Sequence, residues 1–319
     1  MIEFIRLTKP TNAQFLEAIQ FAERMLEHLK TLRHHVRFAA FQRLGIELVL
    51  VKENKQIQAL CFVLPDKYYY AGEERRFVWL FDMIADPKAK NLGSFMLLRI
   101  MNWYPSTMCI GVTEAAARLY QALRWNKYDK IWRCVRPVKL MGMFERYHGR
   151  LEPSWRNLLL KIMAPCYDAL MFLVEACISS HLSINQSAPF SRKKSRLQRD
   201  NEFKLNIVSS YLDILTIDEE GHSLEAVIIY GIGRIVYNDF HGFRRFLAYS
   251  RLQQIVRKKN VLLLEYLTTC PENKRKALLY GFIPIKIPIY YWDKNNQLDE
   301  FFKKLDDDNF SFASCDKIL

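Results

Sequence analysis

Phe81-Asp82-Met83-Ile84-Ala85-Asp86-Pro87-Lys88-Ala89-Lys90-Asn91-Leu92-Gly93-Ser94-Phe95 is the stretch on which the reading of the first half turns. Arg76 to Ile84 is dense in aromatic and β-branched residues and reads as a strand. Pro87 to Gly93 is a loop with one glycine, and Ser94 to Trp103 is apolar at helical spacing. A helix amino terminus offers unsatisfied amides at the positive end of its dipole, an arrangement that binds phosphate. Lys90, Asn91, Leu92, Gly93 and Ser94 are therefore a candidate phosphate cradle, set against an ordinary strand-to-helix loop.

Upstream, Ile2 to Leu7 reads as a strand. Thr11 and Asn12 can cap a helix starting near Ala13, and a basic helix is expected over Leu32 to Arg43. Ile46 to Val51 and Ile57 to Leu64 join Arg76 to Ile84 as strands with short polar breaks, which favours antiparallel pairing. Downstream, Thr107 to Val112 is a buried strand, Thr113 can cap a helix through Leu123, and Ile131 to Val138 is a further strand. The order is β-α-α-β-β-β-α-β-α-β.

The second half repeats much of this. Tyr211 to Ile217, Leu224 to Tyr230 and Arg234 to Asn238 read as strands. A helix over Phe243 to Lys259, a strand over Val261 to Leu267 and a helix from Pro271 to Tyr280 follow. Ile283 to Trp292 reads as one strand, which Pro284 and Pro288 assign to an edge or a bulge. Leu298 to Leu305 is a helix and Phe310 to Ala313 a last strand.

Between the halves, Trp155 to Leu182 is apolar, with Lys161, Asp168 and Glu175 on one helical stripe and Pro165 expected to kink or divide the helix. Three readings stay open: a helical pair packed between two domains, an interfacial membrane helix, or a self-association surface. Ser187 to Asp200 is a basic linker carrying Arg192, Lys193, Lys194, Arg196 and Arg199, which could also meet acidic lipid headgroups.

The 319 residues exceed what one compact domain usually needs, so two are expected. With 50% hydrophobic and 13% aromatic residues the chain can fill two cores and is not disordered. A net charge of +13 points to an anionic partner or a solvated basic surface. The seven cysteines have no C-x-x-C spacing, so reduced thiols of a cytosolic protein are expected, and no His/Cys set has metal-ligand spacing. The amino terminus lacks a secretory h-region, and no apolar run reaches about 18 residues. His34-His35, Asp306-Asp307-Asp308 and Gly231-Ile232-Gly233 do not complete a metal, calcium or dinucleotide motif. No nucleic-acid-binding signature accompanies the charge.

Lys90-Asn91-Leu92-Gly93-Ser94-Phe95 resembles the acyl-CoA pyrophosphate loop of the GNAT acyltransferases, [Q/R]-x-x-G-x-[G/A], with Lys90 in place of Arg or Gln and Phe95 in place of the last small residue. Ala117-Arg118-Leu119-Tyr120-Gln121-Ala122-Leu123-Arg124-Trp125 is similar to that family's A-x-x-L-Y-x-x-L-G-F element, with Arg124 at the glycine and Trp125 at the phenylalanine. Arg136-Pro137 resembles the R-P ending after the next strand. Ala277-Leu278-Leu279-Tyr280-Gly281-Phe282 resembles the L-G-F end again, but Gly242 stands alone where a second loop would be. The resemblance spans about 1 to 140 and 205 to 319.

It implies an α/β (α+β) fold of two tandem GNAT-like mixed-sheet domains: 1–140, an acyl-CoA-binding domain; 141–203, a helical connector and basic linker; and 204–319, a second, degenerate domain. It implies acetyl-CoA or another acyl-CoA as substrate, held by Met83, Ile84, Lys90, Asn91, Leu92, Gly93, Ser94 and Phe95, with no metal. Asp82 and Glu114 are then the candidate bases, and Tyr120 the acid that protonates the departing thiolate. The tail Phe310-Ser311-Phe312-Ala313-Ser314-Cys315-Asp316 is similar to two-domain proteins tied to bacterial surface polysaccharides, which implies an envelope-related acceptor. The expected place is the cytoplasm, with contact at the inner membrane face through 155–200 as a further expectation. The rival function is a non-catalytic protein of the same fold that binds a partner enzyme or a membrane.

Overall fold

A computed structural model describes residues 1–25, 44–70, 73–89, 91–142, 158, 162–170, 213–219, 221–229 and 232–303. The expected helix over 32–43, the basic linker 187–200, the tail strand 310–313 and the motifs at 34–35 and 306–308 lie outside these residues.

The first half runs β1 (Ile2–Leu7), α1 (Asn12–Met25), β2 (Glu47–Glu53), β3 (Gln56–Tyr70), β4 (Glu73–Ala85), α2 (Leu92–Trp103), β5 (Ser106–Ile110), α3 (Glu114–Ala122), β6 (Asn126–Tyr128) and β7 (Trp132–Pro137). A helix over 162–170, α4, follows and contains Pro165. The second half runs β8 (Asp213–Glu219), β9 (His222–Ile229), β10 (Ile232–Asn238), α5 (Gly242–Lys258), β11 (Leu263–Thr268), α6 (Pro271–Leu279), β12 (Ile283–Lys286), β13 (Ile289–Asp293) and α7 (Gln297–Lys303).

Local chemistry accounts for the helix starts. The Thr11 hydroxyl accepts from the Gln14 amide at 3.3 Å while the Gln14 side chain accepts from the Thr11 amide at 2.8 Å, a reciprocal capping box. The Thr113 hydroxyl caps α3 by accepting from the Ala116 amide at 3.3 Å.

The strands form two mixed sheets. The first has the order β1-β2-β3-β4-β5-β13-β6 and the second β12-β7-β11-β10-β9-β8. Each has one parallel pair, β4 with β5 and β10 with β11; every other pairing is antiparallel. The sheets exchange strands. β7, from the first half, lies beside β11, and β13, from the second half, lies between β5 and β6. The crossing segments touch where the Ile287 amide donates to the Ile131 carbonyl at 3.0 Å.

This corrects the single strand expected over 283–292. The chain breaks between Lys286 and Ile289, and the two pieces enter different sheets. Proline explains the break. Pro284 sits in β12, an edge strand, where a missing N–H costs least, and Pro288 falls in the gap. The three-residue strand β6 had no signal in the sequence.

One face of the first sheet is covered by α1 and α7, and its core also takes in Val227, Val236 and Leu267 of the second sheet. The opposite face is covered by α2 and α3. The outer face of the second sheet packs on α5 and α6. Among the described residues no helix is long and apolar enough to cross a membrane.

Candidate functional site

β4 and β5 pair over only two positions, Val78 with Thr107 and Trp79 with Met108. β4 then continues to Ala85 and β5 to Ile110 without further pairing, so the sheet opens into a cleft at this point. Beside the cleft, β4 carries a bulge. Leu60 faces Ile84 and Phe62 faces Phe81, which leaves Asp82 and Met83 opposite Cys61 alone. Asp82 takes φ 45°, a left-handed conformation rare for a non-glycine residue. Such a bulge interrupts the regular ladder beside the opening.

The helix that follows starts close to the end of β4. Asn91 precedes it at φ 65° and makes no side-chain cap; the Leu92 amide donates to the Ala89 carbonyl at 3.3 Å, which leaves the amides of Gly93 and Ser94 for another acceptor. Gly93 sits tight against the strand: a Cβ there would lie 3.3 Å from the Ala85 Cβ. Glycine suits this close approach, since a Cβ would need the helix start and β4 to give by a few tenths of an ångström. Leu92 is buried beneath it.

The predicted site residues divide in three ways. Asp82, Met83, Ile84, Asn91, Leu92, Gly93 and Ser94 cluster where β4 gives way to α2, with Met83 toward the α2 side of the sheet and Ile84 in the opposite core. Tyr120 is buried on the same side of the sheet as α2, its ring 4.6 Å from Trp125 and 5.7 Å from Tyr290. Phe95 and Glu114 are not brought to this cluster. Phe95 points to an apolar cavity of about 480 Å³ between α2 and β1, lined by Ile2, Phe4, Leu98 and Arg99. Its bulk thus leaves the helix start open. Glu114 is exposed and ion-paired with Arg118 one turn on. Lys90 lies outside the described residues.

Sequence reasoning missed Tyr290. It reaches Tyr120 only because β13 threads beside β5, and its carbonyl accepts from the Cys109 thiol at 3.5 Å. No local signal marks a residue whose contact depends on an exchange across some 170 positions of chain.

The equivalent place in the second sheet is built differently. β10 and β11 pair over three positions and part, and β10 is bulged after Ile235. The connection to α5 is only 239–241, against 86–91 in the first sheet. Aromatic rings pack the region behind it: Tyr249 and Tyr266 each lie 4.9 Å from Phe282, and the Tyr249 hydroxyl accepts from Asn238 at 2.8 Å. Burial pushes the phenol of Tyr249 up to about 12, and burial together with the bond to Asp239 pushes Tyr237 up to about 12. A tyrosine whose folded pKa lies above its unfolded value of about 10 is stabilising below pH 10 and loses that contribution as pH rises toward 12. Urea midpoints should therefore fall from pH 10 to pH 12, and less steeply in a Tyr249→Phe variant; an unchanged slope in that variant would contradict this.

The two L-Y-x-x-L-G-F-like turns share one geometry. The Trp125 amide donates to the Tyr120 carbonyl, and the Phe282 amide to the Ala277 carbonyl, each at 2.9 Å. Gly281 has φ 75° and Arg124, at the matching place, φ 58°. Arg124 therefore holds the left-handed turn without glycine, at a cost of about 1 kcal/mol. Arg136 of the R-P ending lies in the second sheet against this turn, its guanidinium 5.9 Å from the Phe282 ring.

Among the described residues no group of three His, Cys, Asp or Glu side chains could hold a metal ion, and Cys61, Cys109, Cys134, Cys166 and Cys270 are not joined in disulfides.

No protein-family model and no curated protein matches the sequence. Solved structures do match the fold. A Pyrococcus horikoshii protein assigned as an acetyltransferase superposes with TM-score 0.54 at 9% identity, over 92% of this chain and 89% of its own. A tandem GNAT protein from the clavulanic acid biosynthesis pathway gives 0.54 at 10% identity, over 92% and 99%. An N-myristoyltransferase of Saccharomyces cerevisiae, solved with myristoyl-CoA and inhibitors, gives 0.50 at 11% identity, over 91% and 80%. The repeated sheet with one opened parallel pair, the bulged strand before the helix and these superpositions along nearly the whole chain agree: this protein has the tandem GNAT fold.

Proposed function

We propose that the chain is an acyl-CoA-dependent acyltransferase whose donor binds the first sheet. The observation that carries this is the cleft between β4 and β5, with the Asp82 bulge on one side and the close Gly93 start of α2 at its end. A pyrophosphate fits the Gly93 and Ser94 amides at the start of α2, and a narrow pantetheine arm fits between two parting strands. The bulge amides suit a thioester oxygen that becomes an oxyanion.

In this reading Asp82 takes a proton from the acceptor amine or hydroxyl, which attacks the thioester carbon. The C–S bond breaks, and Tyr120 protonates the departing thiolate. Glu114, paired with Arg118 in solvent, has no part. The second half of the chain lends Tyr290 to the first sheet through β13, and the second sheet, with its short connection and aromatic filling, supports the acceptor side and binds no donor. An envelope-related acceptor rests on the resemblance of residues 310–316 alone.

The test is calorimetric titration with acetyl-CoA, coenzyme A and myristoyl-CoA, beside a Gly93→Val variant. Saturable binding to the natural protein is expected, weakened about tenfold or more in the variant because the valine displaces the amides that hold phosphate. A matching melting temperature would show that the loss is local. Absence of binding to all three ligands would sink the donor assignment and leave the fold as a binding scaffold.

A further inference from the structure

The helix over 162–170 is clamped on one side and bare on the other. Ala164 is fully buried. The Tyr167 hydroxyl donates to the Pro137 carbonyl at 3.1 Å. The Asp168 carboxylate accepts from the amides of Leu140 and Met141, at 2.8 and 3.2 Å. The sequence alone places Asp168 on a charged stripe with Lys161 and Glu175; the structure instead uses it to pin the helix to the end of β7. These bonds fix the rotation of the helix about its axis. The face turned outward is apolar: Ile162 is 66% exposed and Leu170 59%, with Met163 and Cys166 exposed between them. Leu158, four residues earlier, is exposed too. Positions 162, 166 and 170 recur every four residues, the spacing of one helical stripe.

Cations gather at the same end of the molecule. Lys139 adjoins the residues that Asp168 holds, and its ammonium bonds Asn260 at 3.1 Å. Lys258 and Lys259, just before Asn260, are exposed.

We propose that this face lies on an anionic lipid bilayer, with the 162–170 stripe sunk to the boundary between headgroups and acyl chains. An amphipathic helix with cations beside its apolar side binds by those two contributions together. The described helix over 162–170 is nine residues, far short of the roughly 20 a span needs, so the stripe lies in the plane of the surface. Charge selects this occupant over a second copy of the chain, which would bring +13 against +13.

The experiment is cosedimentation of the full chain with vesicles of phosphatidylcholine alone and of phosphatidylcholine mixed with phosphatidylglycerol. Binding to the mixed vesicles is expected to be at least about tenfold stronger and to fall with added salt. Ile162→Glu with Leu170→Glu should lower it about tenfold or more at an unchanged melting temperature, since both side chains are exposed. Lys258→Glu with Lys259→Glu should weaken binding to the anionic vesicles only. The proposal is overturned if the natural chain stays in the supernatant with both vesicles, or if the Ile162→Glu, Leu170→Glu variant binds as well as it does. It is overturned equally if that variant melts lower, which would show a stripe already packed within the fold, or if sedimentation velocity shows an oligomer that the variant dissolves.

Discussion

Residues 1–140 expressed alone should give no cooperative unfolding transition, and coexpression with residues 204–319 should restore one. The reason is the exchanged strand. Without Ile289–Asp293, β5 and β6 have no common neighbour and the first sheet ends on an open central edge. The loss is more than backbone pairing. Tyr290 and Tyr291 fill opposite cores of that sheet, and Leu298 and Phe302 of α7 complete the one that holds Tyr291. Ser106 bonds Asp293 at 2.9 Å in a buried contact, and Lys294 donates to the Pro105 carbonyl at 2.8 Å. Burying one large aromatic or aliphatic side chain is worth about 1.5–3 kcal/mol. Four such losses come to about 6–12 kcal/mol, comparable to the whole stability of about 5–15 kcal/mol of an ordinary domain, before the open edge is counted. Urea unfolding followed by circular dichroism tests this, and a sharp, monomeric transition for 1–140 alone would refute it.

Glu265→Ala should cost about 3–5 kcal/mol of stability, the usual effect of removing one partner of a buried ion pair. Glu265 is 1% exposed on β11. One carboxylate oxygen accepts from Arg234 at 2.8 Å, and the other from Arg133 at 2.5 Å. Arg234 is nearly buried, whereas Arg133 keeps about a third of its side chain in solvent, so most of the loss falls on Arg234. Arg133 belongs to β7, the strand lent by the first half, so this carboxylate ties the exchanged strand into the second sheet. Glu265→Gln keeps the shape and should lose less than the alanine. The ordering is read from urea midpoints at constant slope, and a Glu265→Ala midpoint within error of the natural chain would contradict the assignment.

Much of the architecture was legible because it is local. Strand composition located β1 to β5 and β7 to β11. Thr11 and Thr113 announced helix starts that the hydrogen bonds confirm. The repeated order of elements, with Gly281-Phe282 echoing Arg124-Trp125, pointed to two copies of one fold, and the matched turns bear this out. Gly93 stood out in the sequence as the one glycine of a strand-to-helix loop, and the structure sets it where the start of α2 comes close to Ala85 of β4. Asp82 stood out as a carboxylate at a strand end.

What only the tertiary structure decided depends on partners distant in sequence. The apolar alternation of Ile283 to Trp292 fits one strand as well as two, and nothing in it says which sheet each piece joins. Register and neighbour are settled by which core the side chains can fill, and that information sits some 150 residues away in β5, β6 and β7. The same holds for Tyr290 beside Tyr120, for Phe95 turning to β1 instead of the helix start, and for Asp168 spending its charge on the Leu140 and Met141 amides. A short-range pattern fixes the dihedral preferences and the apolar side of each segment. The choice of the segment that covers it is a long-range packing energy, and it has no signature in the segment alone.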